Sequence, residues 1–156
     1  MSGILTDNLG RSTGLLKAAA GGGKVYAQPL QATDSTQRST SGTSWDACSN
    51  TMSQAITLSA STSKVLIMVN FTGQSGSYAT GGTIFRDSTN LGDATYGMGK
   101  SSGANIFKTY GFVYLDDPGD TSEHVYTVKV ISASGGTTYI NRDGTTGAII
   151  VMEVLA

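Results

Sequence analysis

HVYTVKVISA, residues 124–133, decides the fold. Val125, Thr127 and Lys129 fall on one face of an extended chain, and Tyr126, Val128 and Val130 on the other. Period-two alternation with β-branched residues reads as a half-buried strand. Working outward, TTYINRD (137–143) and GAIIVMEVL (147–155) read as later strands, and GGTIFRDST (81–89) and ANIFKTYGFVYLDD (104–117) as earlier ones. KVYAQPLQA (24–32) reads as the first strand, with Pro29 assigning it to an edge. MSQAITLSA (52–60) alternates, whereas SKVLIMVNFTG (63–73) is a continuous apolar run, the pattern of a strand buried on both faces or in a sandwich core. QRSTSGTS (37–44) reads as a polar loop, and the connectors DDPGD, SASGG and RDGTTG carry the Gly, Pro and Asp of tight turns.

About eight strands follow one another with no long helix between them, which predicts an all-β antiparallel sandwich. With one long early loop, the expected form is an eight-stranded antiparallel jelly roll. An immunoglobulin-like sandwich is the second choice, although the Cys…Trp…Cys pattern is absent. Residues 1–23 show neither alternation nor a long apolar stripe, so they read as an extended N-terminal arm on a domain spanning 24–156.

The junction AAAGGGKV (18–25) invites a phosphate-loop reading, but Val25 stands where the hydroxyl residue must follow the lysine, and Ala18 where the first glycine belongs. MGKSSG (98–103) fails too, because Ala94 holds the position of its first glycine. Gly21, Gly22 and Gly23 are therefore expected to act as a hinge.

Only 13% of the residues are charged, Ser and Thr make up about a quarter, and the chain holds 21 glycines. At 38% hydrophobic it nevertheless has the material for a core. A net charge of −1 lacks the basic footprint of a nucleic-acid binder and offers no basic face to a membrane. No signal peptide or membrane span is read in the sequence. The single Cys48 cannot form an internal disulfide and reads as a small buried hydrophobe.

Catalytic patterns are sparse. The one histidine, His124, opens the cleanest strand and reads as exposed or turn-flanking; no elbow motif accompanies a serine, and nothing pairs Cys48 with His124. No catalytic residue and no cofactor is expected. Asp116, Asp117, Asp120 and Glu123 in DDPGDTSE are the best candidates for hard-cation ligands, set against an ordinary Asx turn, which is favoured. Trp45, Tyr78, Tyr96 and Tyr110 are the aromatics available to stack on a sugar, against the commoner role of packing.

The succession SKVLIMVNF, TIFRDSTNLGD, YGFVYLDDPG and YTVKVISASGGTTYINRDG with a terminal IIVMEV resembles small β-rich virion proteins of tailed bacteriophages, especially those of cyanobacteria and other aquatic bacteria. The opening ILTDNLGRSTG…GGGKV resembles their leaders. The resemblance implies a non-enzymatic capsid decoration (cement) protein on the capsid exterior, a homotrimer bound to the major capsid protein. It also implies that the arm binds the shell, with Ile4, Leu5, Leu9, Leu15 and Leu16 as its anchors. The alternative within the same group is a tail or head fibre module that binds host-surface glycans.

Overall fold

The computed structural model describes residues 28–76 and 79–155. The arm, its five anchors and the Gly21–Gly23 hinge lie outside these residues, as does Tyr78.

Strand β9 (Glu123–Ser132) bears out the alternation that predicted it: Tyr126, Val128 and Val130 are buried, and Val125, Thr127 and Lys129 face outward. It pairs antiparallel with β3 (Ser53–Thr57) on one side and β5 (Ala79–Arg86) on the other. The far side of β5 is shared by two short strands, β6 (Thr89–Asn90) and β7 (Gly99–Ser102). MGKSSG thus contributes a strand rather than a phosphate loop.

The second sheet is built on β4 (Lys64–Ser75), paired along one side with β8 (Ile106–Asp116). Its other side is shared by β11 (Gly147–Val154) and β10 (Thr138–Ile140). Beyond those two lie β1 (Leu30–Asp34) on β11 and β2 (Arg38–Thr40) on β10. All of these pairings are antiparallel. The molecule is therefore all-β with two antiparallel sheets, as the sequence predicts.

The expected count of eight strands is corrected to eleven among the described residues. The excess arises because three lanes of the sheets each hold two short collinear strands: β1 with β2, β10 with β11, and β6 with β7. Each break has a local cause. Asp34 turns the chain after β1 by accepting the Thr36 N–H at 2.8 Å. Asn141 and Asp143 adopt left-handed φ values of 53° and 58° in the 3-10 turn that separates β10 from β11. Between β6 and β7, Asp93 accepts the N–H groups of Thr95 and Tyr96, each at 2.9 Å. β2 lies inside the expected polar loop, because a polar edge strand has no apolar alternation to betray it.

The core lies between the sheets. Val65, Ile67, Val69 and Phe71 of β4, Tyr110 and Phe112 of β8, and Ile149 and Val151 of β11 meet Ile84, Tyr126, Val128 and Val130 of the facing sheet. A Cβ at Gly82 would come within 3.0 Å of Phe71 Cζ and 3.3 Å of Phe112 Cζ. Glycine there lets the β5 backbone form a floor under the aromatic cluster.

Of the two readings of the continuous run on β4, a place in the sandwich core holds and burial on both faces does not. Val65, Ile67, Val69 and Phe71 point inward, whereas Leu66 and Met68 are only partly covered and Asn70 is exposed. The run is continuous because the outward positions are apolar too.

Candidate interaction surface

The acidic residues read as possible metal ligands diverge. Asp116 is buried and accepts from Arg86 Nη1 at 2.9 Å and from the Tyr126 hydroxyl at 2.7 Å. Asp117 faces Lys64 Nζ at 3.4 Å. Asp120 accepts the Ser122 N–H at 2.7 Å, an Asx turn, and Glu123 opens β9 as an exposed side chain. Among the described residues no three His, Cys, Asp or Glu side chains are placed to hold a metal ion together.

His124 sits between two carboxylates, with Nδ1 2.8 Å from Asp87 Oδ2 and Nε2 3.1 Å from Asp120 Oδ1. Each carboxylate only accepts, so the protonated ring is the form that can donate to both. The hydrogen bond to Asp87, aided by that to Asp120, raises the His124 pKa above its usual 6.5 and outweighs the opposing effect of partial burial. Asp87 also accepts the Val125 N–H at 2.8 Å, so the cluster pins the β5–β6 turn to the start of β9. A raised folded pKa means that this stabilisation is complete below pH 6.5 and is lost as pH rises through the folded value. His124→Gln is expected to remove that alkaline-side decline, measured as Tm from about pH 5 to about pH 9. An unchanged profile would show that the pair is screened.

Cys48 does not approach His124 chemistry. Its sulfur lies 3.7 Å from the carbonyl oxygen of Asp46, its side chain packs against the core, and burial pushes the thiol up to about 12. A thiol with so little thiolate at neutral pH is a poor nucleophile.

The aromatics are also committed. Tyr110 is in the core, stacked on Phe71 with centroids 4.9 Å apart. The Trp45 indole donates to the Ala94 carbonyl at 3.0 Å and packs at 6.2 Å from Phe85. A Cβ at Gly97, where φ is +68°, would lie 2.7 Å from Trp45 Cη2, so the glycine-rich loop is shaped to the indole. Tyr96 is capped by Lys100 Nζ at 3.8 Å from its ring centre.

What remains is the outer face of the β4 sheet, which the sequence reading did not identify. In register, Leu66 lies opposite Leu115 and Met152, and Met68 opposite Val113 and Ile150. Val113 is 75% exposed, and Leu115 and Phe107 are each 51% exposed. Lys64, at one end, is the sole charge directed outward from β1, β4, β8 and β11. The outer side of β8 has no strand partner among the described residues. Contiguous apolar area beside an open edge makes this face the candidate interaction surface. No protein-family model matches this chain, and a search of curated proteins finds no match.

Proposed function

We propose that this chain is a non-enzymatic virion protein, a capsid decoration (cement) protein with a jelly-roll body. It forms a homotrimer on the capsid exterior and reaches the major capsid protein through residues 1–23. The observation that carries the assembly role is the apolar outer face of the β4 sheet, charged only at Lys64 along β1, β4, β8 and β11: it suits a protein partner better than a charged small ligand. The resemblance of the strand sequences to phage virion proteins directs that role to a capsid.

The lane order supports the jelly-roll reading. One sheet runs β1/β2, β10/β11, β4, β8, and the other β3, β9, β5, β6/β7. Successive lanes from β3 to β5 alternate between sheets, β6/β7 and β8 cross between the outer lanes, and β9 and β10/β11 return to the inner ones. That order is the one expected of the double Greek-key winding of a jelly roll. The engagement of Asp116, Asp120, His124 and Cys48 in holding loops and sheets supports a structural role.

An arm that orders on the shell must offset its ordering entropy, and three arms on one trimer convert modest site affinity into avidity. Deleting residues 1–20 is expected to leave a folded oligomer that no longer sediments with capsids. Retained attachment would refute the arm. Capsid-free particles adsorbing to host glycans through this chain would favour the fibre reading instead.

A further inference from the structure

The outer face of the β4 sheet has relief as well as apolar character. Gly111 leaves a notch of about 200 Å³ lined by Met68, Asn70, Ala148 and Ile150, with Val113 on its rim. Two residues along β8 from the notch, Val113 stands proud at 75% exposure. Gly111 and Val113 face the same way, since they lie opposite Asn70 and Met68 in the pairing with β4.

A projecting knob and a hole on one apolar face suit contact between like chains, because each copy supplies both halves. A partner of different sequence would have no reason to match both. Charge adds little to the choice of partner here, as Lys64 is the sole outward charge on β1, β4, β8 and β11 and lies at one end.

The area comes close to what a specific contact needs. Four strands about 4.8 Å apart and about 3.4 Å per residue, over the seven pairs of β11 with β4, give a footprint on the order of 450 Å² per copy. Two copies bury on the order of 900 Å², near the lower bound of about 1,000 Å² for specific interfaces. Phe107, exposed and on the outward register of β8, extends it.

We infer that the outer face of the β4 sheet is buried against a second copy of this chain, with Val113 of one copy seated in the notch over Gly111 of the next. This names the self-contact of the proposed trimer. The number three rests on the proposed function; the surface does not.

The test is light scattering on the full chain after size exclusion, with Val113→Lys and Gly111→Leu as variants. Both substitutions lie outside the core. Val113 is largely in solvent, and a Cβ at Gly111 meets no atom within 4 Å. The wild type is expected to run as a trimer, and each variant to dissociate at least about tenfold more readily with an unchanged circular dichroism spectrum. The variants act independently, one adding charge to the knob and one filling the hole, so misfolding of either leaves the other to decide. A monomeric wild type, or an oligomer indifferent to both changes, would overturn the inference. A dimer broken by both would keep the surface and refute the trimer of the proposed function.

Discussion

Asp116→Ala is expected to cost about 3–5 kcal/mol of folding stability, the range for removing one member of a buried ion pair. Asp116 ends β8 in one sheet, whereas Arg86 of β5 and Tyr126 of β9 belong to the other. Its Oδ2 accepts from Arg86 Nη1 at 2.9 Å and from the Tyr126 hydroxyl at 2.7 Å, so one carboxylate oxygen ties the two layers at this end of the sandwich. Burial and then the neighbouring carboxylate push the Tyr126 phenol up, which keeps its hydrogen available as a donor. Alanine would leave a half-buried guanidinium without this partner and a buried hydroxyl with none. The loss comes from that desolvation left uncompensated, more than from the attraction itself. Asp116→Asn, which retains an acceptor for Tyr126, should lose roughly half as much. Urea melts would measure both as shifts in midpoint at constant slope. A change under about 1 kcal/mol for the alanine variant would mean that solvent screens the pair.

Phe71→Ala is expected to cost about 3–5 kcal/mol, the upper part of the range for core truncations. Phe71 is fully buried, stacks on Tyr110 at 4.9 Å and 12°, and meets Phe112 edge-on at 6.1 Å. The cavity would have little means to collapse, because one wall is the β5 backbone at Gly82 rather than a mobile side chain. Met68→Ala, three residues earlier on the same strand but facing outward, should cost the isolated subunit about 1 kcal/mol or less. Equal losses at the two positions, read from thermal or urea unfolding, would contradict the division of β4 into a core face and an outward apolar face.

That division was the least legible part of the sequence. Alternation in HVYTVKV locates β9 because one face is polar; in KVLIMVNF both faces are apolar, and periodicity alone does not distinguish a doubly buried strand from one that awaits a partner. The strands β8, β9 and β11 were readable from their length and β-branched content. β2 and β7 were not, being short edge strands of Arg, Ser, Thr, Gly and Lys held in place by their neighbours. Asn141 and Asp143 break β10 from β11 with left-handed φ values that asparagine and aspartate tolerate, which the RD in TTYINRD only hints at. Turn chemistry was read correctly around Asp120, yet its neighbour Asp116 belongs to a tie between sheets. The partners Arg86 and Tyr126 lie 30 and 10 residues away, and only the winding of the chain brings them together. Gly111 carried no signal, since a glycine in a strand reads as weakness until the face around it is seen.

The central claim is that this sandwich spends its polar groups on its own fold and its exposed apolar face on assembly in a virion. A cryo-EM map of the intact particle tests it most directly. The account predicts density for this chain on the capsid exterior, in threefold clusters, with residues 1–23 running onto the major capsid protein and the β4 faces closed against one another. Density confined to a fibre, or clusters in which Val113 and Gly111 remain open to solvent, would contradict it.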